Sequence, residues 1–124
     1  SEFDSQKNKN LRRLCKMARA WKNKHGVGIG GLLIDTLAHN FLKSTSDYDK
    51  NSYLYYDSMS LDFFAYLKDL PEQDYFAALG SGQHVKVKKK FQRKAKKAHD
   101  LCLKAIEAEE RTAHEWDDRR QAGG

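Results

Sequence analysis

The stretch Leu14–Leu42, LCKMARAWKNKHGVGIGGLLIDTLAHNFL, decides the fold of this chain. Its first part places Leu14, Ala18 and Trp21 at the spacing of one face of an α-helix. A turn with four glycines follows between residues 26 and 31, and a second apolar run begins directly after it. Because a glycine is the usual residue just beyond the end of a helix, this pattern predicts two helices joined by a tight turn.

The rest of the sequence adds two more helices. The four predicted helices span about residues 8–24, 31–43, 53–69 and from near His84 to beyond residue 110. Pro71 ends the third helix, residues 72–83 are predicted to form a loop, and no segment predicts a strand. The residues expected to face the core are Leu11, Leu14, Cys15, Ala18, Trp21, Leu32, Leu33, Ile34, Leu37, Ala38, Phe41, Leu42, Tyr56, Met59, Phe63, Tyr66, Leu67, Leu70, Phe91, Ala95, Ala98, Cys102, Ala105 and Ile106. The predicted fold class is an all-α bundle of four main helices, the last one long.

The length of 124 residues fits one domain. Residues 1–3 are typical of a cloning remnant, residues 4–112 are predicted to form the helical domain, and residues 113–124 form a polar tail that is either helical or frayed. No run approaches the roughly 18 apolar residues of a membrane span. Cys15 and Cys102 at apolar helical positions predict buried, reduced thiols. We therefore expect a cytoplasmic protein without a membrane partner.

Positive charge is concentrated in one segment. The net charge is +6, and residues 86–97 contain eight Lys or Arg and no acid, whereas residues 107–118 contain six acids. Like charges on neighbouring helical turns repel, so a partner of opposite charge is expected. The candidates are a polyanion, which could be nucleic acid, nucleotide phosphates or an acidic protein surface, and the acidic tail of the chain itself or another domain. The predicted polyanion-binding residues, at the start of the fourth helix, are Lys86, Lys88, Lys89, Lys90, Arg93, Lys94 and Lys97.

Two motifs resemble ligand sites without their required context. Gly26–Gly31 matches the dinucleotide pattern G-x-G-x-x-G, but a charged helix precedes it where a buried strand is needed, so we predict a turn between helices. Asp47-x-Asp49-x-Asn51 begins like a calcium loop but has Ser52 and Ser58 in place of the required Gly and Glu. The five histidines lack ligand spacing, so we predict no metal site and no catalytic residue in this chain.

Four segments, taken in order, are similar to a known family. They are Leu14–Lys22, Leu32–Leu42, Tyr55–Leu67 and Leu79–Val85. Together they resemble the C-terminal helical lobe of bacterial cGAS/DncV-like nucleotidyltransferases (CD-NTases), which are related to 2′-5′ oligoadenylate synthetases. The likeness covers about residues 9–108, and its most specific part is the segment from Trp21 to Leu42.

The resemblance implies an enzyme with a further, N-terminal catalytic lobe and nucleoside triphosphates bound in the cleft between the lobes. Such an enzyme makes cyclic di- or oligonucleotide second messengers in antiphage defence, with Mg²⁺ held by the catalytic lobe. In the family, a basic residue two positions before the Trp contacts the donor triphosphate. This implies that role for Arg19, with Lys16 and Arg12 beside it. Gly30 or Gly31 would offer a backbone N–H to phosphate at the start of the next helix.

The chain departs from the family at the catalytic motif, which is a Gly-Ser followed by two carboxylates one residue apart. After Gly80-Ser81 the next acid is Asp100, and Cys102 stands where the second carboxylate would be. Because two metal ions need that pair of carboxylates, we expect this chain alone to be inactive and to hold no cofactor. The alternative is a non-enzymatic helical module that binds nucleic acid or protein through its Lys-rich helix.

Overall fold

The computed structural model of the chain describes residues 2–48, 56–78 and 81–123. Within them it confirms the predicted bundle of four helices with a long last one. The elements are α1 Glu2–Lys24, α2 Gly31–Ser44, α3 Tyr56–Asp69, β1 Tyr75–Ala77, β2 His84–Lys86 and α4 Gln92–Gly123. The predicted start of the third helix near residue 53, and Asp49 and Asn51 of the calcium-like pattern, lie outside the described residues.

The glycine turn ends α1 and begins α2. Gly26 has φ +60°, and the N–H of Val27 donates to the carbonyl of Lys22 over 2.9 Å. This is the Schellman arrangement, in which a left-handed glycine follows the last helical turn. At Gly28 a Cβ would lie 2.5 Å from Cδ of Lys89, so a side chain there would displace the lysine stem that lies against the turn. The G-x-G-x-x-G match is therefore a turn between two helices, as predicted.

The second helix is the centre of the core. Aromatic rings pack around it, with Phe41 and Phe63 in contact at a centroid distance of 5.6 Å, and Trp21 packs edge-on against Phe64 at 5.1 Å. Its buried residues are Leu33, Ile34, Thr36, Leu37, Ala38, Phe41 and Leu42. The prediction that Leu32 also faces inward is wrong, because Leu32 lies on the opposite side of α2 and is 58% exposed.

Polar contacts fix the connection between α2 and α3. The side-chain amide of Asn10 donates to the carbonyl of Tyr48, and the Tyr48 hydroxyl donates to Asp62. Both Asn10 and Tyr48 are buried. Burial, reinforced by the Asp62 hydrogen bond, raises the pKa of Tyr48 well above its usual range. Burial likewise raises the pKa of Tyr66. These contacts join α1, the α2–α3 connection and α3.

A two-stranded antiparallel hairpin replaces part of the predicted loop and helix. Phe76 pairs with Val85 in the register of β1 and β2, and both side chains are buried between exposed neighbours. The prediction that the last helix begins near His84 is therefore wrong, since α4 begins at Gln92. The alternation of valine and lysine from Val85 to Lys88 suits a strand with one buried face. On that face the ring of Phe76 packs against the ring of Phe91, with a centroid distance of 6.1 Å.

The last helix leaves the core part-way along its length. Phe91 and Ala95 are fully buried, whereas Ala105, which was predicted to face inward, is exposed because α4 continues past the other helices by that point. Its 32 residues correspond to a length of about 48 Å. Neither Cys15 nor Cys102 forms a disulfide, and both are only partly buried, which corrects the prediction of buried thiols.

None of the described helices combines the length and the apolar character that crossing a membrane requires.

Candidate functional site

Arg19 on α1 faces Asp35 on α2. The Nε of Arg19 donates to Oδ1 of Asp35 over 3.0 Å, and a second guanidinium nitrogen donates to Oδ2. Both side chains remain open to solvent. The hydrogen bond to Asp35, reinforced by its negative charge, raises the pKa of Arg19 above its ordinary value. The two-point contact holds the planar guanidinium in one orientation beside the start of α2.

The guanidinium lies close to the first residue of α2. A Cβ built on Gly31 would be 3.6 Å from Cζ of Arg19, an ordinary van der Waals separation. The preceding residue, Gly30, caps the helix in an extended conformation, and no side chain caps it by a hydrogen bond. A helix leaves its first N–H groups without helical partners and carries partial positive charge at this end. Arg19 and the start of α2 therefore form one feature with two sources of positive charge, which the carboxylate of Asp35 offsets in part.

A cavity of about 470 Å³ opens between α1 and α2 beside this feature. Arg12 and Arg19 both line it. They lie on an exposed face of α1, away from its buried residues Leu14, Ala18 and Trp21. Lys16 is exposed on the same face of α1 but does not line the cavity. The full lining is Leu11, Arg12, Cys15, Arg19, Asp35, Thr36, His39 and Ala78. The structure thus places Arg12 and Arg19 in one cavity wall and Gly31 beside Arg19, and Lys16 is not among the lining residues.

A second cavity of about 380 Å³ shares Leu11 and His39 with the first. Lys7 and Lys43 contribute positive charge to its wall. Its other lining residues are Asn8 and Leu42. The groove between α1 and α2 is therefore lined by several cationic side chains, and Asp35 is the one acid among the lining residues of the two cavities.

Cys15 adds a thiol to the wall of the first cavity. Burial, followed by the negative charge and hydrogen bond of Asp35, raises the pKa of Cys15 to about 11. A thiol in this state is protonated at neutral pH, and only the thiolate is a strong nucleophile or metal ligand. The surroundings of Cys15 therefore disfavour its thiolate and do not activate it as a nucleophile.

Four lining residues of the first cavity belong to neither the site nor the core predicted from the sequence, namely Asp35, Thr36, His39 and Ala78. A signal for Asp35 was present. Arg19 stands five residues before the end of α1 and Asp35 four residues after the start of α2, so the two are nearly equidistant from the turn. Residues equidistant from a tight turn face each other in an antiparallel helix pair. Nothing comparable in the sequence indicates that Thr36 and His39 line a cavity.

The Lys-rich segment does not form a single helical face. Lys86 is on β2, residues 88–90 are in the connection to α4, and the others are on α4. Three of the predicted polyanion-binding residues have contacts within the chain. Lys94 donates to the carbonyls of His25 and Gly26 over 3.2 and 2.9 Å, Lys90 pairs with Glu72 at 3.0 Å, and the stem of Lys89 lies against Gly28. Lys86, Lys88, Arg93 and Lys97 are exposed.

Comparison of the chain with protein-family models, with curated proteins and with solved structures finds no match. The resemblance to CD-NTases therefore stays a prediction. In the described parts of the chain, no three His, Cys, Asp or Glu side chains lie close enough together to hold a metal ion.

Proposed function

We propose that this chain is the C-terminal helical lobe of a CD-NTase-like nucleotidyltransferase and that Arg19 binds the phosphates of the donor nucleoside triphosphate. The observation that carries the proposal is the placement of the Arg19 guanidinium beside the uncapped start of α2, at the edge of a cavity of about 470 Å³. A planar guanidinium and the free N–H groups of a helix start both favour phosphate oxygens. Arg12 would add a second positive charge in the same cavity.

Asp35 has a defined part in this proposal. It orients Arg19 in the absence of ligand, and a bound phosphate would compete with it for the same N–H groups. Arg19 presents five donors in total, so a phosphate can use those that Asp35 leaves free or can replace Asp35. The nucleobase and sugar would occupy the groove towards His39. Cyclic di- or oligonucleotide synthesis and Mg²⁺ binding would require the catalytic lobe that the resemblance implies.

Titration of the chain with ATP and with inorganic tripolyphosphate, followed by calorimetry, tests this role. We expect Arg19→Ala to weaken the binding of both by about tenfold or more, since hydrogen bonds between charged groups are worth about 1.5–3 kcal/mol. Arg111→Ala removes the same charge from an exposed position on α4 and is the matched control. Asp35→Asn should tighten binding up to about fivefold, because it removes an exposed competitor of the phosphate.

Equal affinities for the Arg19→Ala and Arg111→Ala proteins would show that Arg19 has no phosphate role. The coding sequence upstream provides an independent test of the enzyme class. A Gly-Ser with a following Asp-x-Asp block supports the proposal, and its absence overturns the assignment to a nucleotidyltransferase. Within the full enzyme, Arg19→Ala is expected to reduce product formation.

The alternative is a non-enzymatic module that binds nucleic acid or protein through a Lys-rich helix. The structure gives this alternative less support, because the lysines do not lie on one helix. Its cations are distributed over a strand, a connection and a helix, and Lys89, Lys90 and Lys94 have contacts within the chain.

A further inference from the structure

The β1–β2 hairpin has one buried and one exposed face. Phe76 and Val85 are buried against the body of the domain. The alternation of side chains along a strand places their neighbours on the other face. Those neighbours are Tyr75, Ala77, His84 and Lys86, and all four are exposed.

Two rings are stacked on this exposed face. The centroids of Tyr75 and His84 are 3.8 Å apart, and the ring planes differ by 15°. The register makes them diagonal neighbours, since Tyr75 pairs with Lys86 and His84 with Ala77. Such a cross-strand pair stabilises a hairpin by a few tenths of a kcal/mol to about 1 kcal/mol. Each ring covers one face of the other and leaves its second face uncovered by the stack, and Tyr75 is 46% exposed to solvent.

Lysines flank the stacked rings. Lys86 lies directly across from Tyr75, and Lys88 follows at the next outward position, after the partly buried Val87. The face composed of Tyr75, Ala77, His84 and Lys86 contains no acid, and Lys88 at its end lines a cavity whose wall also includes Glu72 and Asp74. The acids nearest to β1 in sequence are Glu72, which pairs with Lys90, and Asp74, which is exposed.

We propose that this hairpin face binds single-stranded nucleic acid, with a base stacked on the Tyr75–His84 pair and backbone phosphates contacted by Lys86 and Lys88. Proteins that bind single strands combine aromatic stacking platforms with cations that follow the backbone. An acidic protein surface would use the lysines but would gain nothing specific from the stacked rings. A duplex would offer phosphates but no accessible base face. The combination of rings and lysines therefore favours an unpaired strand, and it does so independently of the Arg19 site.

A comparison of single and double strands tests the ligand class without any substitution. Fluorescence anisotropy would measure the affinity of the chain for a labelled oligo-dT strand, for an oligo-rU strand and for the oligo-dA·dT duplex of the same length. We expect both single strands to bind more tightly than the duplex at equal salt concentration. Equal or tighter binding of the duplex would overturn the proposal, because it would show that charge alone determines binding.

Substitutions test the two parts of the surface separately. Because it removes a stacked base contact, Tyr75→Ala should weaken single-strand binding by roughly fivefold to a hundredfold, whereas Tyr75→Phe should retain it.

Lys86→Gln with Lys88→Gln should reduce the slope of log affinity against log salt by about 1.4. The matched control is Lys96→Gln with Lys104→Gln, which removes two charges from exposed positions of α4 and should leave this slope nearly unchanged.

Circular dichroism and thermal unfolding would check that each variant is folded. If Tyr75→Ala disturbs the hairpin, the comparison of Tyr75→Phe with Tyr75→Leu decides, since leucine is apolar but offers no ring. Single-strand binding that is equal for the phenylalanine and leucine variants would overturn the stacking role. A loss of salt dependence that is equal in the two double-lysine variants would overturn the assignment to this face.

Discussion

Three side chains of the α1–α2 cavity influence one another at the scale of single residues. Asp35 accepts hydrogen bonds from Arg19 and raises the pKa of both Arg19 and Cys15. The same carboxylate therefore stabilises the charged form of one neighbour and the neutral form of the other. The pKa of the Cys15 thiol therefore reports whether the Asp35 carboxylate lies beside it, and no ligand is needed for this measurement.

Alkylation of Cys15 is expected to be slow because its thiol is protonated. At pH 8, a pKa of about 11 in place of 9.0 lowers the thiolate fraction about a hundredfold. Iodoacetamide labelling of a Cys102→Ala variant, followed by mass spectrometry, would measure this rate. The rate should rise about ninefold between pH 9 and pH 10, whereas the rate for a thiol with a pKa of 9.0 would rise only about twofold.

Removal of the Asp35 charge should speed this reaction. Asp35→Asn takes away the second largest cause of the raised pKa, so the Cys15 pKa falls and more thiolate is present at a given pH. The rate should remain below that of free cysteine, since burial, the largest cause, is unchanged. A wild-type rate equal to that of a small free thiol would contradict the placement of Cys15.

At the scale of elements, the sequence predicts the α1–α2 pair well and the hairpin poorly. The apolar stripes of α1 and α2 are long, and the glycines between them leave the chain little choice of conformation. The hairpin has three residues per strand, and the lysines of its second strand merge with those of α4. Val85, Lys86, Val87 and Lys88 alternate as in a strand, but four residues are too few to predict one. Burial of Phe76 and Val85 in the core favours the strand over a helix.

The same substitution at two positions of the glycine turn should have opposite effects. Gly26→Ser should lower the free energy of unfolding by about 1–2 kcal/mol, because Gly26 has φ +60° and a side chain disfavours that conformation. Gly30→Ser should change it little or raise it by a few tenths of a kcal/mol, since serine is a good N-cap and Gly30 is extended with free space around its Cα.

Urea unfolding followed by circular dichroism would measure both differences. The two variants have the same composition, so they differ only in which backbone position receives the side chain. Equal destabilisation at both positions would mean that Gly26 does not adopt the left-handed conformation that ends α1.

Charge is segregated along the whole molecule, and the helical geometry keeps it so. Because α4 is continuous, Lys97 and Glu107 lie about 15 Å apart along its axis. The acidic end of the helix therefore cannot neutralise its own basic start, which removes one of the partners considered from the sequence. Among the described residues, Glu72 forms an ion pair with Lys90, which lies just before α4. The sequence showed the two blocks of charge, but only the helix length shows that they stay apart.

Hydrogen exchange should reveal how unevenly the molecule is stabilised. The amides of α2 are expected to exchange slowest, since seven of its residues are buried, and those of α4 after residue 106 fastest among the helices. The side chains of residues 107–113 are all exposed, so this part of α4 lacks the packing that stabilises most helices in proteins. Mass spectrometry of peptides from α2 and from residues 107–113, at several protein concentrations, would measure the difference. Equal protection of the two segments at every concentration would contradict the exposed position of this part of α4. Protection that appears only at high concentration would instead show that a second copy covers it.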